Sequence, residues 1–177
     1  SWSDTENQFP GSLTEEEIKQ DRRQVRESRK DDDGVSDYAL LSANMSYRFT
    51  DAHSIELSSS YNRRDSETDM FSYPRPSFFD GLNQSFCLMP QYIFNTEDIR
   101  LVTGLDYQKD ILNVHLFDSA SRDNRTGDTH IDRDTLSAYS HVQYTLNPQW
   151  MISGGLRQER TRLKIKNKST SSFNDSK

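Results

Sequence analysis

Apolar and polar residues alternate in six stretches of this 177-residue chain, at roughly 38 to 49, 54 to 63, 85 to 95, 98 to 108, 135 to 147 and 149 to 161. A period of two predicts a β-strand in each. The connections alternate as well. TDAH at 50 to 53, NTED at 95 to 98 and the Asn147-Pro148-Gln149 turn are tight, whereas residues 66 to 82, 114 to 133 and everything after about 166 are long and polar. The expectation is three hairpins with their tight turns at one end of a sheet and their long loops at the other, an antiparallel up-and-down meander.

Every second residue of these runs builds one apolar face. It comprises Ala39, Leu41, Ala43, Met45, Tyr47 and Phe49; Ile55, Leu57, Ser59 and Tyr61; and Phe86, Leu88, Pro90, Tyr92 and Phe94. It continues through Ile99, Leu101, Thr103, Leu105 and Tyr107; Leu136, Ala138, Ser140, Val142, Tyr144 and Leu146; and Trp150, Ile152, Gly154 and Leu156. No charge interrupts this wall. Charges such as Arg48, Glu56, Arg100, Asp106 and Arg157 fall on the opposite parity. Aromatic residues crowd the tight turns, with Tyr47 and Phe49 before the first, Tyr92 and Phe94 before the second, and Tyr144 and Trp150 flanking the third. One-ended tight turns with an aromatic band are expected of a transmembrane β-barrel, whose tilted strands need about 9 to 11 residues each. Cross-strand aromatic pairs in a soluble sheet are the alternative source of such a band. Pro90 cannot donate to a ladder and predicts a bulge or an edge there.

Residues 1 to 36 stand outside this scheme and read as another long-end loop. Thr14 followed by Glu17 is a capping-box arrangement, with Glu15 and Glu16 at the positive end of a short, solvated helix whose charged segment runs through Lys30. DDDG at 31 to 34 is expected to close it. The chain thus divides into a loop at 1 to 36, barrel strands at 37 to 165 and the start of a further loop at 166 to 177.

Composition sharpens the reading. Only 32% of residues are hydrophobic, too few for a conventional core, and a sheet with lipid on its wall and water on its other face needs none. The net charge of -6 gives no reason to expect nucleic acid as a partner. No window of about 18 apolar residues predicts a membrane-spanning helix, and SWSDTENQF lacks the basic and apolar regions of a signal peptide. The expectation is either a cytosolic protein or an interior piece of a longer chain.

Candidate chemistry is sparse. A single cysteine, Cys87, builds no disulfide framework and reads as a small buried hydrophobe rather than a nucleophile. Asp123, Asp128, His130, Asp132 and Asp134 fit no EF-hand spacing, and His53, His115, His130 and His141 are scattered, so neither a metal nor a cofactor is expected. No GxSxG elbow or glycine-rich phosphate loop is present, and no enzyme activity is expected. The stretch FSYPRPSFFDG is the one patch that invites a ligand. Phe71, Tyr73, Phe78 and Phe79 beside Arg75 are suited to stacking and cation-π attraction, or else they pack the loop onto its neighbours.

Four segments carry a resemblance. FPGSLTEEEIKQDRRQ at 9 to 24, SYRFTDAHSIELSSSYNRR at 46 to 64, LVTGLDYQKD at 101 to 110 and above all TLSAYSHVQYTLNPQWMISGGLRQER at 135 to 160 resemble barrel segments of TonB-dependent outer-membrane receptors. The resemblance implies a bacterial outer-membrane location, outer-membrane lipid around the wall, and a 22-stranded barrel closed by an N-terminal plug. It also implies import of an iron-siderophore complex, cobalamin or a similar scarce nutrient, energised through TonB. Plug, TonB-contacting segment and closing strand are not visible in these residues, so the expectation is an excised middle portion of a barrel, whose open edges and bare wall favour self-association. The alternative from another class is a soluble all-β binding module for a sugar or lipid, possibly dimeric, which would bury its wall against another sheet.

Overall fold

The computed structural model describes residues 1–8, 14–22, 31–71 and 76–169. It is a single antiparallel sheet of seven strands in sequence order: β1 (Trp2–Gln8), β2 (Asp33–Arg48), β3 (His53–Met70), β4 (Ser77–Asn95), β5 (Ile99–Phe117), β6 (Arg125–Asn147) and β7 (Trp150–Ser169). Among the described residues one short helix, α1 (Glu15–Gln20), lies between β1 and β2. Its capping box forms, with the Glu17 amide donating to Thr14 Oγ1 at 3.3 Å and the Thr14 amide donating to Glu17 Oε2 at 2.6 Å.

The meander and its three tight turns are those the pattern predicts, but two expectations are corrected. Residues 2 to 8 are not loop: Trp2 to Gln8 pair with Ala39 to Asp33, so there are seven strands rather than six. This strand has no apolar alternation to reveal it and is held by the ladder it shares with β2. The charged segment up to Lys30 that DDDG is expected to close lies largely outside the described residues; α1 ends at Gln20, and Asp33 opens β2. Residues 66 to 82, 114 to 133 and 166 to 169 are mostly strand, because β3 and β5 run on to Met70 and Phe117, and β4 and β6 start at Ser77 and Arg125.

At the tight-turn end the strand feet descend stepwise. His53 at the foot of β3 pairs with Phe94, one residue above the foot of β4; Asn95 there pairs with Arg100, one above the foot of β5; Ile99 pairs with Tyr144, three above the foot of β6. The upper limit of the wall descends in the same sense. The rung through Tyr61 and Phe86 runs on to Lys109, Asp134 and Arg162, whereas the wall on β7 stops lower, at Leu156. A drop of about five or six residues over four strand spacings corresponds to a strand tilt of about 40 to 45° if the wall is a level band.

Pro90 causes neither a bulge nor an edge. The β4–β5 ladder skips it between Leu88↔Tyr107 and Gln91↔Gly104, and the register is unchanged on either side, in the interior of the sheet. A single lost donor is absorbed by the flanking pairs.

The described residues form no second layer over the sheet. Among the described residues the only buried hydrophobic one is Phe78, at 3% exposure, while Leu41, Met45, Leu105, Leu136, Ile152 and Leu156 of the wall are all exposed. At about 1.5 to 3 kcal/mol for each large apolar side chain removed from water, such a wall requires an apolar cover.

Above the wall the two faces exchange character. The parity that carries Leu101, Thr103 and Leu105 lower down on β5 carries Lys109 and His115 above, and the same parity on β6 passes from Leu136 to Asp134, Asp132 and Asp128. The opposite parity becomes apolar, with Leu112, Val114 and Leu116 on β5, Ile131 on β6, Leu163 and Ile165 on β7, and Phe79 on β4. Register places Leu112, Ile131 and Ile165 on one rung and Phe79 beside Leu116.

Candidate functional site

The lower part of the opposite face is a continuous polar network. Gln91 donates to Glu56 at 2.6 Å, and the Tyr139 hydroxyl donates to Gln91 Oε1 at 3.2 Å. The Arg157 guanidinium sits 5.9 Å from the Tyr139 ring centroid and donates to Asp106 at 2.7 Å and to Ser137 at 2.9 Å. Ser137, only 1% exposed, donates in turn to Glu159 at 3.0 Å. One step higher Arg133 grips Asp110 at 2.8 and 2.9 Å, with Gln108 on the same carboxylate. Cys87 lies between Ser60 and Gln108 on this face, half-buried. Every carboxylate of the network has a donor and every arginine an acceptor, an arrangement that holds positions and offers a polar surface.

Two glycines let ring side chains lie flat across the rungs. A Cβ on Gly104 would come within 2.6 Å of the Tyr139 hydroxyl and 2.9 Å of the Pro90 carbonyl, and one on Gly155 within 2.9 Å of the Ser140 carbonyl and 3.1 Å of the His141 ring. Both face the polar network. Gly154, on the wall, would meet nothing within 4 Å.

At the tight-turn end the aromatic pairs close on each other. Tyr47 and Phe49 meet edge-on at 4.9 Å, and His53 stands 4.9 Å from Phe94 with its Nδ1 2.5 Å from the Tyr92 hydroxyl. Trp150 and Tyr144 remain exposed on the wall.

At the upper end the five candidate ligand residues separate. Tyr73 and Arg75 lie outside the described residues. Phe71 and Phe78 meet edge-on at 5.1 Å, and the Phe71 amide donates to Asp32 at 2.7 Å. Phe78 and Phe79 belong to strand β4 rather than to a loop, on opposite faces of it. Phe79 therefore joins Leu112, Leu116 and Ile131 in the apolar patch of the opposite face, a grouping that following a single parity along the sequence misses.

On the wall side at this height the acids of β6 turn toward β5. Lys109 donates to Asp132 at 3.2 Å and to Asp134 at 3.3 Å, Tyr107 donates to Asp134 at 3.0 Å, and Asp128 lies 2.9 Å from His115 and also pairs with Arg125. Arg122, in the connection between β5 and β6, reaches across to Asp80 at 2.6 Å and Asp69 at 2.8 Å. Partial burial pulls its pKa down, but hydrogen bonds to Asp80 and Asp69 outweigh that and raise it. The residue takes a left-handed backbone, φ 58°, that its three anchored nitrogens stabilise. Among the described residues no group of three or more His, Cys, Asp or Glu side chains is placed to hold a metal ion.

Two solved structures share this architecture. The ferric citrate transporter FecA in its unliganded form superposes with a TM-score of 0.73 at 18% identity, over 94% of this chain and 26% of that one. The ferric yersiniabactin uptake receptor FyuA from Yersinia pestis does so with a TM-score of 0.62 at 15% identity, over 78% of this chain and 23% of that one. At these identities the likeness establishes the fold, and the chain spans about a quarter of the length of either receptor. No curated protein matches the sequence. The family model for the TonB-dependent receptor-like β-barrel matches residues 2–177, and with that match over almost its whole length the chain belongs to the TonB-dependent receptor barrel family.

Proposed function

We propose that this chain is a wall segment of an outer-membrane receptor that binds a scarce nutrient, such as an iron-siderophore complex or cobalamin, and imports it with energy passed through TonB. The observation that carries the reading is the wall itself. Its apolar side chains are exposed along six strands, bounded by aromatic pairs at the tight turns and by charges at the other end, and they have no second layer to cover them. Lipid supplies that cover, and the aromatic end marks the periplasmic interface. Membership of the TonB-dependent receptor barrel family supports the same orientation.

The polar network then faces the barrel interior, where it meets the plug that such receptors carry and, through it, the TonB system. The patch of Phe79, Leu112, Leu116 and Ile131 faces the extracellular mouth. We place the apolar part of the ligand there; of the other candidates, Phe78 is 3% exposed and packed against Phe71, and Tyr73 and Arg75 lie outside the described residues. FecA and FyuA are named for ferric chelates, which favours an iron chelate over cobalamin as the cargo.

The test uses the full-length parent gene with a small epitope tag between Asp123 and Asn124. Protease added to intact cells is expected to remove the tag from a protein that sediments with outer membranes. A strain lacking the gene is expected to lose growth on one ferric chelate under iron limitation, and Phe79→Ala to weaken uptake of that chelate about tenfold, as for loss of one aromatic anchor. A soluble protein with a protected tag would overturn the membrane reading; normal growth on every chelate and on cobalamin would overturn the cargo.

A further inference from the structure

Above the polar network, the face turned to the barrel interior divides into two lanes. One rung shows the division: Tyr38 on β2, Arg64 on β3 and Asn83 on β4 are followed by Leu112 on β5 and Ile131 on β6. The next rung of this face repeats it, with Ser36, Ser66 and Gly81 beside Val114. Hydroxyl, amide and guanidinium groups occupy β2 to β4, and hydrocarbon occupies β5 and β6. Each of these strands has a sheet neighbour on both sides, so neither lane is an edge.

Arg64 carries the charge of this arrangement. Lower on the same face Arg133 is matched by Asp110 and Arg157 by Asp106. The Arg64 guanidinium is exposed, donates to the Ser36 hydroxyl at 3.3 Å, and forms no ion pair among the described residues. Asp110, on the rung below, is already taken by Arg133 and Gln108. The sequence neighbour Arg63 points to the other face, where Asp65 holds it at 2.8 Å. Between the lanes stands Gly81, where a Cβ would come within 2.8 Å of Ser66 Oγ. No side chain therefore separates cation from hydrocarbon at that point.

Strands lie about 4.8 Å apart, which sets Leu112 about 10 Å and Ile131 about 14 Å from Arg64 along the rung. A ligand that satisfies both lanes has an anionic group on one flank and an apolar arm on the other. A neutral ligand covering Arg64 desolvates a guanidinium without supplying a counter-charge. A small hydrophilic anion pairs with Arg64 and leaves the apolar lane in water.

We propose that Arg64 binds the anionic group of the imported chelate, with Tyr38 and Asn83 at its sides, while Leu112 and Ile131 receive an aryl or alkyl arm. The cargo is an anionic, amphipathic ferric chelate. The proposal rests on the receptor reading above and narrows it, setting aside neutral chelates, small hydrophilic ones and cobalamin. The planar fork of arginine suits a pair of carboxylate or catecholate oxygens, which it engages bidentately.

The experiment measures binding of three iron(III) chelates to the full-length receptor purified in mild detergent. They are a tris-catecholate, anionic with aryl arms; a citrate complex, anionic without an apolar arm; and a trihydroxamate complex of zero net charge. The tris-catecholate is expected to bind about tenfold more tightly than either of the others. Arg64→Gln is expected to weaken it about tenfold, and Arg64→Lys by less, because the charge stays while the fork is lost. Leu112→Ala is expected to weaken the tris-catecholate about fivefold and to leave citrate unchanged. Arg63→Gln, on the other face, is expected to change none of the three. Heat-modifiable gel mobility reports whether each variant assembles; should Arg64→Gln fail to, the order of the three chelates on the unaltered receptor decides. Preference for the neutral chelate or for citrate, binding of none of the three, undiminished binding by an assembled Arg64→Gln receptor, or a plug carboxylate seated on Arg64 would each overturn the proposal. A protein that sediments with outer membranes and imports a different nutrient leaves the receptor reading standing. A soluble protein with a protected tag removes both.

Discussion

The lower and upper halves of the sheet share one backbone register and differ in which face is apolar. Below, the wall parity holds Leu, Ile, Val and aromatic residues while the opposite parity holds the network from Glu56 to Arg157. Above, the wall parity holds Lys109, Asp132, Asp134 and the β7 cations Arg160, Arg162, Lys164, Lys166 and Lys168, and the opposite parity holds Phe79, Leu112, Ile131 and Ile165. A strand has no preference for either arrangement. In the proposed membrane setting the exchange corresponds to a change of solvent along its length, with hydrocarbon outside and polar contents inside for the first half, and water outside for the second.

The sharpest way to break this comparison is to place one charge at matched positions. Val142 and Val35 lie on the same side of the sheet at 46% and 44% exposure, one in the wall and one above it. Val142→Arg is expected to cost about 2 to 4 kcal/mol and Val35→Arg about 0 to 1, read as the denaturant midpoint of the full-length barrel in lipid vesicles. Similar costs at both sites would remove the distinction between the halves.

Next in size is the difference between neighbouring glycines. Gly155→Ala forces a Cβ against the Ser140 carbonyl, and a loss of about 1 to 3 kcal/mol is expected in the same unfolding assay. Gly154→Ala faces open space and is expected to change stability by less than about 0.5 kcal/mol. Gly104→Ala should resemble Gly155→Ala, since it meets the Pro90 carbonyl as well as Tyr139.

In the upper half the holding element is Arg122. Arg122→Ala separates the β5–β6 connection from Asp69 and Asp80, at about 1 to 2 kcal/mol once partial exposure is allowed for. Faster amide exchange is expected at the upper ends of β3 and β4, with the feet of β6 and β7 unaffected. The smallest effect is at α1, where Thr14→Ala removes the cap and costs the helix about 1 kcal/mol, seen as faster exchange of Glu15–Gln20 without any change in barrel assembly.

The same exchange of faces explains what the sequence made legible. The tight turns, the wall and the polar face of the lower half follow from a single parity kept from Ala39 to Phe49 and again on five further strands. At Lys109 and Asp134 that parity acquires charge, so alternation measured against the wall ends while the strands continue to Phe117 and back from Arg125. Phe79 was legible as an aromatic candidate but not as a neighbour of Leu116, because that contact needs the register across β4 and β5. The strand at Trp2–Gln8 is polar on both parities after Trp2 and owes its form to its partner, a long-range cause that local pattern does not carry. The network around Arg157 drew together residues as far apart in sequence as Glu56 and Glu159, which no spacing rule connects.

The crown of charge has a kinetic meaning as well. In the proposed orientation, the end made of Lys109, Asp132, Asp134 and the cations Arg160, Arg162, Lys164, Lys166 and Lys168 has to cross the hydrocarbon layer before the strands above the tight turns can stand upright in it. At a cost of about 2 to 4 kcal/mol for each basic residue at midplane, unaided crossing is slow and calls for a lateral opening in the bilayer or in an assembly machine. The return journey meets the same barrier. In that orientation a barrel built in this way is held by the barrier itself, without energy spent to keep it there.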